Sequence, residues 1–89
     1  MAITMTIVDG PDKPALQWAL TYPEEHGVHF RVEDDGFDAQ ILRMEEQGNG
    51  LTFNLTGRLT SGDRNGFPFD AIYSIESRSG SMTVKELAE

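Results

Sequence analysis

The side chains best suited to metal binding are two histidines and two glutamates that lie close together, His26, His29, Glu24 and Glu25. A zinc site needs three or four convergent ligands. Pro23 and Gly27 mark this segment as a turn that leads into a strand. Residues three apart on a strand point to opposite faces, so the two histidines would not converge. We therefore predict no metal and no cofactor.

Two acidic segments that contain glycine, residues 33–38 and 63–66, have the composition of calcium-binding loops. An EF-hand loop places oxygen ligands at positions 1, 3, 5 and 12, with glycine at position 6, between two helices. Neither segment has this spacing or the flanking helices. Both are interpreted as hairpin turns, and weak calcium binding at the acidic hairpin, residues 33–38, is the alternative.

Paired carboxylates for acid–base catalysis could come from Asp38 with Asp70, or from Glu33 with Asp35. Catalytic pairs need partly buried environments that move their pKa values apart. These four residues fall at predicted turns or on polar strand faces. The chain also has no serine in a nucleophile elbow and no glycine-rich loop before a helix. We therefore predict that the protein is not an enzyme.

The acidic segment 24–46 is the most distinctive feature of the chain. The whole sequence has 15 acidic and 7 basic residues, a net charge of −8. Nucleic acids and anionic membranes are therefore excluded as direct partners, because both require clustered Lys and Arg. The segment is interpreted either as a solvated hairpin that keeps the protein soluble or as a surface that attracts a basic partner protein. The predicted partner-binding residues are Glu33, Asp34, Asp35, Asp38, Glu45 and Glu46.

This charge pattern leads to a function hypothesis with two alternatives. The leading one is a non-enzymatic protein-binding module, specifically a small acidic inhibitor that occupies a basic nucleic-acid-binding surface of a partner, as phage and mobile-element inhibitors do. The first alternative is a β-domain that binds a small ligand or carbohydrate. The second is an accessory subunit of a larger complex.

Alternation of apolar and polar residues predicts that the elements carrying these side chains are strands. It recurs at residues 3–7, 16–22, 28–33, 37–44, 51–60, 67–75 and 82–84. A helix over 16–22 would bury Leu16, Ala19 and Leu20 but would leave Trp18 and Tyr22 badly placed, which favours a strand there. Asp35-Gly36 suits a tight hairpin, and the change of pattern near Leu42 and Met44 indicates a bulge or a strand buried on both sides.

These segments predict an all-β fold, a single small antiparallel meander of about six to seven strands. The curled sheet would form a small barrel or a sandwich, with residues 1–89 as one domain. Gly57 lies on the apolar face of its strand, which indicates a bend or a close backbone approach. Residues 85–89 are expected to fray or to form a helical turn.

Two sets of side chains decide between the core and ligand-binding interpretations. The first set is aromatic: Trp18, Tyr22, Phe30, Phe53, Phe69 and Tyr73. A barrel of this size is expected to be filled by these rings rather than to hold a ligand. The second set forms the regular polar face of one strand: Thr52, Asn54, Thr56, Arg58 and Thr60. This face is expected to be solvated, and the alternatives are sugar binding and edge-to-edge pairing with another protein.

Localisation is predicted from what the sequence lacks. The chain has no cysteine, its start has no signal-peptide pattern, and no apolar run has the length of a membrane helix. We therefore expect a cytoplasmic protein. An exposed edge strand would permit a homodimer.

Overall fold

Six antiparallel strands form a closed barrel in the computed structural model, which describes residues 2–85. Each strand pairs with its neighbours in chain order, and the first strand pairs with the last. The strands are β1 (Ala2–Asp9), β2 (Val28–Val32), β3 (Asp35–Glu46), β4 (Thr52–Leu59), β5 (Pro68–Ser74) and β6 (Ser79–Lys85). The predicted all-β antiparallel meander is confirmed, and it closes as a barrel. The prediction that residues 85–89 fray or form a helical turn is wrong for Lys85, which pairs with Ala2 as the last residue of β6, and residues 86–89 lie outside the described residues.

The strand predicted over residues 16–22 is wrong, because α1 (Lys13–Thr21) occupies this part of the chain. Asp12 caps the helix: its side chain accepts a hydrogen bond from the Ala15 N–H at 3.0 Å, and Pro14 fits the first turn. The helix buries Leu16 and Ala19 and leaves Trp18 55% exposed. The apolar spacing fits a helix because the aromatic residue stays outside the core.

The barrel interior is filled by side chains from all six strands and from α1. Phe30 and Tyr73 are fully buried, and their rings meet edge to face with centroids 5.7 Å apart. Phe53 and Phe69 are also buried. The core interpretation is therefore confirmed for these four aromatic residues. It is wrong for Trp18 and for Tyr22, which is 43% exposed.

The predicted bulge is present between Ile41 and Arg43, where the β3–β4 register shifts. Leu42 is the extra residue and is half exposed, so β3 is not buried on both sides at this point. Gly57 pairs with Ile41 beside the bulge. A Cβ atom on Gly57 would overlap the carbonyl oxygen of Gln40, which confirms the close backbone approach.

The hairpin between β2 and β3 turns two positions earlier than Asp35-Gly36 predicts. Val32 pairs with Asp35, so Glu33 and Asp34 form the two-residue turn. Glu33 has φ of 55°, a left-handed conformation in which glycine is preferred. Gly36 instead lies within β3, where a Cβ atom would collide with the His29 ring.

The two ends of the barrel are closed differently. Helix α1 connects β1 to β2 and therefore lies at the end where β1 finishes. The β2–β3 turn and the loop between β4 and β5 lie at the opposite end, where Phe37 packs beside Gly62. Among the described residues, no helix has the length and hydrophobicity needed to cross a membrane.

The close approach at Gly57 generates a stability prediction. Gly57→Ala is expected to lower the free energy of unfolding by roughly 2–3 kcal/mol, because the new methyl group must displace main chain rather than a mobile side chain. Gly48→Ala is the matched control, since no atom lies within 4 Å of the Cβ position there. It should change stability by less than about 0.5 kcal/mol. Urea unfolding of both variants measures the difference, and equal midpoints would contradict the close approach.

Candidate functional site

The six acidic residues predicted to bind a partner are all exposed, but they do not form one cluster. Glu33, Asp34 and Asp35 lie together at the β2–β3 turn, and we call these three residues the acidic turn. Glu45 and Glu46 lie at the other end of β3. Ten residues of extended strand lie between Asp35 and Glu46, which places the two residues roughly 30 Å or more apart. Asp38 lies between the two groups, nearer to the acidic turn.

Ion pairing also distinguishes these carboxylates. Asp38 accepts a hydrogen bond from His29 Nδ1 at 2.9 Å, and Glu45 forms an ion pair with Arg43. Within residues 2–85, no basic side chain lies within ion-pairing distance of the acidic turn. Among residues 2–85, no ion pair therefore offsets the negative charge of these three exposed carboxylates.

The acidic turn borders a groove of about 350 Å³ at its end of the barrel. Residues 4–6 of β1 form one wall, and the acidic turn with Val32 forms the other. Phe37 and Arg64 complete the lining. The groove therefore combines apolar side chains with three carboxylates and a single basic group.

This groove exists because β1 pairs unequally with its two neighbours. Six register pairs join β1 to β6, from Ala2 with Lys85 to Ile7 with Gly80. Only Ile7 and Asp9 have partners on β2, and the register shifts between them. Strand β2 ends at Val32, so the first half of β1 has no neighbour on that side among the described residues. The inward-facing side chains there, Ile3 and Met5, are only partly buried.

The predicted polar face of β4 lies on the outside of the barrel, as expected for a solvated surface. Asn54, Thr56, Arg58 and Thr60 are exposed, and Thr52 is partly exposed. The Thr56 hydroxyl donates to Asp70 Oδ1 at 3.3 Å, and Asp70 also pairs with Lys85 at 2.9 Å. A second depression of about 350 Å³ crosses this face, and no aromatic side chain lines it.

Of the carboxylates considered for catalysis, Glu33, Asp35 and Asp38 are exposed, and the Asp70 side chain is half exposed. Asp38 and Asp70 lie on different strands, and each contacts its own partner, His29 or Lys85. In the described part of the chain, no group of three or more His, Asp or Glu side chains could hold a metal ion. Asp38 and Asp70 are therefore held in separate surface pairs, whereas Glu33 and Asp35 lie in the acidic turn.

An exposed aromatic cluster was not predicted from the sequence. Trp18 and Tyr22 have ring centroids 5.2 Å apart, and His26 lies 5.3 Å from Trp18 and 5.9 Å from Tyr22. Tyr22 is the C-cap of α1 and lies four residues after Trp18, so these two rings share one side of the helix end. In the turn that follows, the His26 N–H donates to the Tyr22 carbonyl at 2.9 Å, which holds His26 beside them. The four-residue spacing of Trp18, Tyr22 and His26 indicates this cluster, but the alternation of residues 16–22 favoured a strand, in which the rings would not be grouped in this way.

Tyr73 is a fully buried residue of the barrel core that carries a polar hydroxyl group. Its hydroxyl donates to the Pro11 carbonyl at 2.7 Å and so fixes the segment between β1 and α1 to β5. Burial raises the pKa of Tyr73 to about 12. A Cβ atom on Gly10 would collide with the Tyr73 hydroxyl, so glycine makes room for this contact. The buried phenol therefore has a structural role.

No protein-family model, curated protein or solved structure matches this chain. The conclusions about function therefore depend on the geometry and charge of residues 2–85.

The Tyr73 contact predicts a specific loss of stability at high pH. A tyrosine in the unfolded chain ionises near pH 10, whereas folding keeps the Tyr73 phenol protonated up to about pH 12. The stabilisation is therefore complete below pH 10 and is lost as the pH rises towards 12. Tyr73→Phe should lower the free energy of unfolding by about 1 kcal/mol at pH 8. The difference in this free energy between the variant and the unaltered chain should shrink above pH 10. Urea unfolding at pH 8, 10 and 11 measures this, and parallel pH profiles would contradict it.

Proposed function

We propose that this protein is a non-enzymatic protein-binding module that contacts a basic surface of another protein through the acidic turn. The observation that carries the proposal is the exposure of Glu33, Asp34 and Asp35 without a basic partner in ion-pairing distance within residues 2–85. An adjoining groove adds apolar contact area. Charge and apolar surface together are what a protein interface requires.

Charge favours a basic partner both at long range and on contact. The net charge of −8 attracts cationic surfaces at distances up to about 10 Å in 0.1 M salt. Such attraction raises association rates well above the usual 10⁵–10⁶ M⁻¹s⁻¹ for neutral surfaces, and it suppresses binding of acidic partners. The acidic turn is a localised part of this charge, so it would also orient the partner.

The arrangement of β3 favours a local basic segment over a long nucleic-acid-binding groove. Carboxylates that imitate a phosphate backbone would need to continue along the strand. Between Asp38 and Glu45, the outer side of β3 carries Gln40, the exposed Leu42 and Arg43. We therefore infer that the contact surface is compact and centred on the acidic turn. Inhibition of a nucleic-acid-binding protein is the more specific version of the proposed function, and in that version the acidic turn would bind a local basic segment of the protein.

Reversing charge at the acidic turn is expected to slow association. A chain with Asp34→Lys and Asp35→Lys should bind its partner at least about tenfold more slowly at 50 mM salt, because two attractive charges become repulsive. The partner is first captured from the native host with the unaltered chain and eluted with a salt gradient. Surface plasmon resonance of the purified pair then measures the association rate at several salt concentrations.

The control reverses two carboxylates at the opposite end of β3, Glu45→Lys and Glu46→Lys. It changes the net charge by the same amount, so a general charge effect would slow both variants equally. The proposal requires a clearly larger effect at the acidic turn. Equal effects of both variants would contradict it. An association rate of the unaltered chain that does not change with salt concentration would also contradict it.

A further inference from the structure

The first half of β1 presents an unpaired strand edge beside the acidic turn. On the β6 side, residues 2–7 are paired without interruption. On the other side, β1 pairs with β2 only from Ile7 onward. Within the described chain, residues 2–5 therefore have no strand neighbour there, and we call them the open edge. An open edge is the usual site at which an extended peptide adds to a sheet.

The direction of the main-chain groups on β1 follows from the ladder at the other side of the barrel. The Ile75 N–H donates to the Leu51 carbonyl at 3.0 Å, towards β4. Main-chain groups alternate between the two sides of a strand, so the groups of Ser74 face β6. Ser74 pairs with Ser79, so the groups of Ser79 face β5. The groups of Gly80, which follows Ser79 in β6, therefore face β1.

Gly80 pairs with Ile7, so the main-chain groups of Ile7 face β6. Ile3 and Met5 share this direction because they lie two and four residues away. Ala2 and Thr4 consequently direct their N–H and C=O groups to the open edge. An added strand would find a donor and an acceptor on each of these two residues.

The side chains around the open edge indicate the sequence of the added strand. Met5 and Phe37 line the groove and pack against the barrel core. Glu33, Asp34 and Asp35 form the facing wall, with Arg64 as the one basic residue that lines it. An extended segment alternates its side chains between two faces. Apolar side chains on one face and Lys or Arg on the other would satisfy both surfaces.

We propose that the open edge binds an extended segment of a partner protein as an added strand in which apolar residues alternate with Lys or Arg. The inference rests on the proposed function, because the acidic turn selects the partner in both. A second copy of this chain is disfavoured as the occupant, since each copy carries a net charge of −8 and the same acidic turn beside the edge.

Thr4→Pro tests the main-chain contact directly. Proline removes the N–H of Thr4, which faces the open edge, and leaves the pairing with β6 intact. Thr4→Val is the matched control, because it keeps the N–H and the branched side chain. It removes only the hydroxyl group, which lies 3.4 Å from the Thr83 hydroxyl. Circular dichroism and thermal unfolding establish that both variants are folded.

The probe is a fluorescein-labelled hexapeptide of alternating valine and lysine, and its binding is measured by fluorescence anisotropy at 50 mM salt. We expect Thr4→Pro to weaken binding about five- to tenfold and Thr4→Val to change it less than about twofold. A peptide with the same composition but separate valine and lysine blocks should bind more weakly, as should one that alternates valine and glutamate. In ¹⁵N NMR spectra, the largest amide shifts should fall on residues 2–6.

The outcomes separate this inference from the proposed function. If Thr4→Pro binds the peptide as well as the unaltered chain while reversal of Asp34 and Asp35 still slows association with the protein partner, the strand-addition inference is wrong and the proposed function stands. Failure of the alternating peptide to bind also overturns the inference. A dimer in sedimentation experiments that Thr4→Pro dissociates would assign the edge to a second copy instead.

Discussion

The unequal pairing of β1 is the constraint on which the rest of the structure depends. Six register pairs hold β1 against β6, whereas two join it to β2. The barrel is thus closed by a short contact at Ile7, which is fully buried. On the helix side of this contact, α1 packs Leu16 and Ala19 into the core, and Tyr73 fixes the segment that leads into the helix. On the other side, the strand edge and the partly buried Met5 border a groove.

The short β2 strand follows from the local sequence at both of its ends. Gly27 precedes it at the end of the turn after α1, and the Glu33-Asp34 turn follows it directly. Five residues can accompany only part of an eight-residue strand. The carboxylates and the open edge are therefore neighbours for one reason, because the turn that ends β2 is also the turn that carries the charge.

Much of this fold follows from apolar alternation, and its main error comes from the same signal. In β4, alternation over residues 52–59 reports one buried and one exposed face, as the structure has them. In residues 16–22, Leu16, Trp18 and Leu20 also alternate, but α1 buries Leu16 and exposes Trp18. Periodicity alone cannot decide such a short segment. The helix start at Asp12, with Pro14 in the first turn, was the deciding local signal.

The candidate site was less predictable, because it depends on pairing between distant strands. Exposure of the acidic turn follows from its charge, but its separation from Glu45 and Glu46 depends on the unbroken length of β3. The open edge depends on where β2 stops relative to β1, a register that no local pattern encodes. The aromatic cluster of Trp18, Tyr22 and His26 was hidden by the mistaken strand.

Negative charge beside the open strand edge has two effects. Unprotected edges pair with one another and lead to aggregation, and charged residues near the edge are a common protection. The acidic turn supplies such protection against identical chains, because each copy would bring its own three carboxylates to the contact. The same charge attracts a cationic segment, so in the complex that we propose the feature that opposes self-pairing would also select the partner. Protection and the proposed recognition would then follow from a single electrostatic cause at the seam of the barrel.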